Sequence, residues 1–377
     1  MRERLQAFWA RLPRAWQLAL LAGLSSRLLL LTVAWLDCAP YKELPPDAPL
    51  FRGGAPHALW VVDAFQKWDA YWYLSIARDG YHPPTLDGPE IHSSNIAFFP
   101  LYPMAMRALG PLFGGDLALC GLVLSWLSFF ACLAALHRLL SLDLDQPTAE
   151  LGVWLLALQP WSFAFSAIYT EAPFFLLSLL AMLQARQGRF GFAAAAGSLA
   201  GLCRLPGCLL ALPVGLEWLA RRPRRLRDLA CVAAIPLGTL GYLIYLWRLT
   251  GVPDAFFRSQ KAWDNNLVLG TKLLRWMITG RPERDQLLTL VVCATLLAVA
   301  WRRVRTSYLV YLATSIAMTV SAGMLTPARH VATAFPVYAV LASVCAGRPT
   351  LERAVLGACA FGSAAVYWLW LTWRHVF

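Results

Sequence analysis

Charge is scarce in this sequence. Of 377 residues only 14% are Asp, Glu, Lys or Arg, while 59% are hydrophobic. A water-soluble chain of this length needs a larger polar share to clothe its surface, so a soluble domain is excluded and lipid must supply much of the solvent. Cysteine pairs are missing too. The nine cysteines are scattered singly with no Cys-x-x-Cys spacing, and eight of them, all but Cys38, lie in or beside apolar runs. Neither a disulfide framework nor a zinc site follows from that pattern. There is no Gly-rich phosphate loop, internal repeat or low-complexity tract, and His57, His82 and His92 lack the compact spacing of a metal motif. The net charge of +12 comes from short basic clusters between apolar runs, so it reads as a topology signal rather than a nucleic-acid footprint.

What the chain does have is apolar runs. A membrane-spanning helix takes roughly 20 apolar residues, and the runs predict an all-α polytopic membrane protein with about 11 transmembrane helices in one domain. The spans fall near 16–36, 116–140, 149–168, 171–187, 190–204, 206–220, 228–249, 285–301, 306–323, 328–346 and 351–372. The first run is longer than a signal-peptide core and has no small-residue cleavage site, so it reads as a retained signal-anchor helix. Arg2, Arg4, Arg11 and Arg14 precede it and place the amino terminus in the cytoplasm. Residues 190–220 are interrupted by Arg204-Leu205-Pro206-Gly207, where proline removes a helix hydrogen bond. Reading them as two short helices puts Arg221, Arg222, Arg224, Arg225 and Arg227 on the cytoplasmic side. Arg186, Arg189, Arg302, Arg303, Arg305, Arg348 and Arg353 then fall on that side as well.

Two exoplasmic segments remain, 37–115 and 250–284. The first is acidic before Asn95, with Asp37, Glu43, Asp47, Asp63, Asp69, Asp79, Asp87 and Glu90 against Lys42, Arg52, Lys67 and Arg78. Residues 59–78 carry Trp60, Trp68, Trp72 and Tyr73 with no helix breaker, which predicts one or two interfacial helices. The apolar stretch after Phe98 predicts a dip that returns to the same side. Asp69 stands among the aromatics, where low dielectric strengthens electrostatics, and could take a proton from a sugar hydroxyl. An aromatic anchor whose aspartate merely faces water would look the same.

The run from Trp68-Asp69-Ala70 to Tyr81, followed by Ala97-Phe98-Phe99-Pro100-Leu101-Tyr102-Pro103, resembles the PIG-V family, the second mannosyltransferases of GPI-anchor assembly. Gln159-Pro160 to Phe163, Ser166, Tyr169-Thr170-Glu171, Pro173-Phe174, and Phe257 to Gln260 with Trp263 resemble the same family. Arg329-His330 stands where that pattern has Arg-Tyr. The resemblance implies a GT-C membrane fold, a polyprenyl-phosphate mannose donor (dolichyl-phosphate mannose in eukaryotic relatives) and inverting transfer. The acceptor would be a hydroxyl of a glycolipid or protein. The active site would face the periplasm from a bacterial inner membrane, or the ER lumen in a eukaryote.

Such chemistry is modest in its needs. A phosphodiester leaves as a stable anion and requires no general acid, so a single carboxylate base suffices, and Asp69 is the candidate. Positive charge must meet the phosphate, which points to Arg204 and Arg329, with His330 beside the latter. Simple snorkelling to the interface would also explain both arginines. Glu171 could orient the acceptor or assist the base. Alternatively Thr170, Glu171 and Pro173 do no more than start a helix. Trp68, Trp72, Tyr73, Tyr169, Gln260, Lys261 and Trp263 are the candidate substrate contacts. Arg27, near the middle of the first span, is either functional or paired within the bundle. Asp143-Leu144-Asp145 spells a D-x-D motif but falls on the cytoplasmic side. No metal ligand is assigned, which leaves a divalent cation such as Mg or Mn open, as it does a partner subunit; membrane lipids, not nucleic acid, are the expected surroundings. A flippase for a lipid-linked glycan, or a non-catalytic assembly subunit, would share many of these features.

Overall fold

The computed structural model describes residues 9–37, 57–82, 94–261, 284–321 and 327–372. Every regular element among them is helical. The chain runs through α1 (Arg14–Asp37), α2 (Trp60–Asp63), α3 (Ala70–Asp79), α4 (Leu101–Leu109), α5 (Leu117–Leu140) and α6 (Gln146–Leu158). Next come α7 (Glu171–Gln187), α8 (Phe190–Cys203), α9 (Ala211–Ala220), α10 (Leu226–Ala234), α11 (Leu237–Thr250) and α12 (Ala255–Gln260). The last are α13 (Arg284–Ala300), α14 (Thr306–Ser321), α15 (Pro327–Val331), α16 (Pro336–Cys345) and α17 (Pro349–Leu371).

Among the described residues, four stretches are long and apolar enough to cross a membrane: α1, α5, the α10–α11 pair and α17. Other predicted spans are shorter or broken, and proline explains where. The predicted span 149–168 ends as α6 at Leu158, ahead of Pro160, and continues as a 3-10 turn, Ser162–Phe165. The span 328–346 is likewise two pieces, α15 and α16, the second restarting with Pro336 in its first turn. The expected break in 190–220 is present, with Arg204 extended at φ −155° and ψ 149° between α8 and the 3-10 turn Leu205–Leu210. Within 59–78, where one or two interfacial helices are expected, the regular elements are the short α2 and α3.

The irregular turn after α6 answers the charge of Arg27. That side chain is 2% exposed, donates to the Ser162 carbonyl at 3.3 Å and to the hydroxyls of Ser162 and Ser166, and lies 4.0 Å over the Phe129 ring. Among its described contacts these are neutral oxygens and a ring.

Packing places two ionic clusters at opposite ends of α7, which lies along α5 and α8. At its C-terminal end Arg186 donates to Asp143 at 2.9 Å and to the Tyr308 hydroxyl at 2.7 Å. Arg305 reaches Glu217 at 3.3 Å and Asp143 at 3.8 Å, and Ser307 also donates to Glu217. The D-x-D aspartate Asp143 is thus engaged in tying helix ends together. The N-terminal end of α7, roughly 22 Å away at 1.5 Å rise per residue, carries the second cluster, described below.

The backbones of α8 and α11 come close at Gly238. A Cβ on Gly238 would lie 2.0 Å from the Ser198 carbonyl oxygen, whereas one on Gly241 would meet nothing within 4 Å. Gly238→Ala should therefore destabilise the bundle by about 1–3 kcal/mol through overpacking. Gly241→Ala should hold or raise the thermal unfolding midpoint in detergent, since alanine favours helix. Equal midpoints for the two variants would contradict this packing.

Candidate functional site

The site begins with a strained residue. Trp68 has φ 55°, a left-handed conformation costly for a bulky side chain, of order 1–3 kcal/mol. Its indole nitrogen donates to the Trp370 carbonyl at 3.3 Å, which helps hold the kink. The kink turns the chain into α3 with Asp69 at the N-cap, yet the Asp69 carboxylate makes no capping bond. Its Oδ2 instead accepts from Arg329 Nη2 at 2.9 Å.

Glu171 opens α7 and is fully buried. Its Oε1 accepts from Arg329 Nε at 2.6 Å and from Arg204 Nη1 at 2.8 Å. Thr170, at the N-cap, has no capping side-chain bond either; its hydroxyl accepts from Arg204 at 3.2 Å and lies 3.0 Å from the Tyr73 hydroxyl. Helix initiation alone therefore does not describe Thr170 and Glu171, because these side chains reach toward other segments. Nor do the arginines snorkel: the Arg204 and Arg329 side chains are 16% and 8% exposed and point at carboxylates.

Sequence accounts for how Arg204 arrives. The 3-10 turn after it folds back so tightly that a Cβ on Gly207 would lie 2.2 Å from backbone atoms of Ala200 and Gly201. Only glycine fits there. Arg329 is held from its other face by Tyr169, whose ring lies 4.6 Å below the guanidinium, an arrangement that favours a cation. The Tyr169 hydroxyl donates to the Lys67 carbonyl at 3.0 Å and accepts from Trp370 Nε1 at 3.2 Å. Lys67 is itself buried, and that burial lowers its ammonium to about 8 against the pull of Asp63.

Asp69, Tyr169, Glu171, Arg204 and Arg329 are therefore brought together, and His330 lies in the field of the same two arginines and Glu171. Trp72 and Tyr73 are only 7% and 5% exposed. The Trp72 ring stacks on Phe98 at 5.7 Å, and Tyr73 meets the same ring edge-on, so in this state both are packing residues rather than open substrate surfaces. Burial raises the Tyr73 phenol well above its usual range, which keeps it neutral. Gln260 donates to the Ala97 carbonyl at 3.2 Å, next to Phe98, and Lys261 is exposed. Trp263 lies outside the described residues.

Sequence reasoning missed Trp370 and the role of the Thr170 hydroxyl. An aromatic near the end of an apolar helix looks like an interfacial anchor, and nothing local shows that Trp370 reaches Tyr169. Among the described residues no three His, Cys, Asp or Glu side chains are grouped to hold a metal ion. His57 contacts Asp116 at 2.7 Å, and His92 lies outside the described residues.

Two carboxylates and two guanidiniums thus form a nearly dry, formally neutral cluster whose most open member is Asp69, 30% exposed. Residues 57–207 match the family model described as mannosyltransferase (PIG-V). The resemblance read from the motifs holds over that stretch, which contains Asp69, Glu171 and Arg204 but ends before Arg329. Within the chain, 139 residues are 36% identical to human GPI alpha-1,6-mannosyltransferase 2 (Homo sapiens), covering 34% of this chain and 26% of that protein. The match thus spans about a quarter of the PIG-V relative's length. A solved oligosaccharyltransferase of Archaeoglobus fulgidus, crystallised with Zn and sulfate, shares 13% identity at a TM-score of 0.46, over 93% of this chain and 53% of that one.

Truncating Glu171 strands two buried guanidiniums, whereas truncating Asp69 strands only part of one. Breaking a buried ion pair costs about 3–5 kcal/mol. Glu171→Ala should accordingly lower the thermal unfolding midpoint far more than Asp69→Ala, and similar midpoints would argue against Glu171 as the charge that holds the cluster.

Proposed function

We propose that this protein is an inverting glycosyltransferase of GT-C type that moves a sugar, mannose, from a polyprenyl-phosphate donor to a hydroxyl of an exoplasmic glycolipid or protein acceptor. The observation that carries the reading is the convergence of Asp69 with Arg204 and Arg329 at one end of the bundle. The PIG-V match over residues 57–207 supports the sugar and the reaction class. In this reading the arginine-rich turns at the opposite end face the cytoplasm, which puts the site on the exoplasmic side.

The chemistry follows from the groups present. Asp69 takes the acceptor hydroxyl proton as the oxygen attacks the anomeric carbon. The bond between that carbon and the phosphate oxygen breaks, and its electron pair stays on the phosphate. Arg204 and Arg329 offer guanidinium donors to the charge that develops there, in surroundings dry enough to make such stabilisation strong. Attack opposite the leaving phosphate inverts the anomeric centre. A donor embedded in lipid also accounts for binding by side chains of helix ends rather than by a soluble nucleotide-binding unit.

Transfer from polyprenyl-phosphate mannose to a panel of glycolipid and peptide acceptors, with purified protein in detergent, tests the reading. Wild type should transfer mannose, and Asp69→Asn, matched for folding, should lose the ~10²–10⁴-fold that a general base contributes. Undiminished transfer by the variant would move the base elsewhere. Absence of transfer by wild type, together with passage of a lipid-linked glycan across vesicle membranes, would favour the flippase.

A further inference from the structure

The two carboxylates on Arg329 are not equivalent. Glu171 is fully buried, binds Arg329 Nε at 2.6 Å and shares the same oxygen with Arg204. Asp69 is 30% exposed and takes one bond, from Nη2 at 2.9 Å. If Asp69 is the base, this state holds it against the cation that the donor phosphate would also seek.

We propose that Asp69 and the donor phosphate are alternative ligands of Arg329, with Glu171 as the positioning residue that keeps the guanidinium in place while they exchange. The inference rests on the glycosyltransferase reading. Charge balance is its physical basis. The cluster holds two cations and two anions; a sugar phosphodiester brings one negative charge, and burying a net excess of charge is costly. One anion must leave as one enters, and only Asp69 has a path to water. Its departure frees the oxygen that accepts from Arg329 Nη2, so that this oxygen can accept from the acceptor hydroxyl instead. The base thus becomes competent when the donor is seated. After transfer Asp69 carries the acceptor proton and the phosphate carries the electron pair of the broken bond. Loss of that proton to solvent restores a carboxylate that competes for Arg329 and helps the product phosphate leave.

The test is equilibrium binding of polyprenyl-phosphate mannose, without acceptor, to wild type, Asp69→Asn, Asp69→Ala and Glu171→Gln in detergent. Removing the competing anion should tighten donor binding about tenfold in both Asp69 variants, the scale of one charge-assisted hydrogen bond. The residual transfer of Asp69→Asn should show a lower donor KM along with its lower kcat. Glu171→Gln should bind donor more weakly than wild type. Asp69 variants that bind no tighter than wild type would overturn the exchange while leaving the glycosyltransferase reading intact. A Glu171→Gln protein that binds donor as well as wild type would remove Glu171 from the proposal. Saturable binding by none of the proteins, with no transfer by wild type, would overturn both the exchange and the reading beneath it.

Discussion

One carboxylate oxygen, Glu171 Oε1, accepts hydrogen bonds from guanidiniums that arrive from two distant segments, and it does so without access to water. A carboxylate buried alone would cost several kcal/mol, and two buried arginines would cost more. Each of the three charges is tolerable only because the others are there. That mutual dependence pins the start of α7 to the break after α8 and to α15, and through Arg329 it reaches Asp69 at the start of α3. The N-terminus of α7 adds a favourable field for the carboxylate. The site is therefore a junction of helix ends, where unsatisfied backbone and side-chain polarity can gather without interrupting apolar helix bodies.

The other end of α7 follows the same logic with different partners. Asp143, Arg186, Glu217 and Arg305 neutralise one another there, and Arg221 donates to the Arg186 carbonyl at 3.1 Å. Both clusters join helix ends; the C-terminal one has the Tyr308 ring beside Arg186, and more rings gather at the N-terminal one. Tyr169, Trp68, Trp370, Tyr73 and Phe98 surround it, and Trp68 accepts a left-handed backbone to do so. Strain held in place by surrounding contacts, next to a carboxylate with an open side, is the pattern expected of a site whose geometry matters more than its stability.

Much of this was legible in the chain because it is local. Scarce charge and long apolar runs gave the helical membrane class; proline and glycine in Arg204-Leu205-Pro206-Gly207 marked the break that presents Arg204; and the aromatic run singled out Asp69. What hydropathy hid was local as well. Apolar runs 149–168 and 328–346 look continuous on hydropathy, but Pro160 and Pro336 divide them, since a ring without an N–H outweighs apolar character in deciding where a helix ends. The Thr170-Glu171 pair has an ordinary helix-start composition, so its turn toward Tyr73 and the arginines was hidden.

By itself, then, the sequence determined the solvent in which the protein folds, the helical class, and the residue types available for chemistry, because composition and short-range backbone preference act between neighbours. Tertiary structure alone decided which charges meet. Asp69 and Arg329 stand far apart in the chain, and no periodicity links them, nor Trp370 to Tyr169. They are joined because charge buried in a low-dielectric bundle needs compensation, from neutral oxygens at Arg27 but from an opposite charge here, wherever the packing of helices brings a partner within reach.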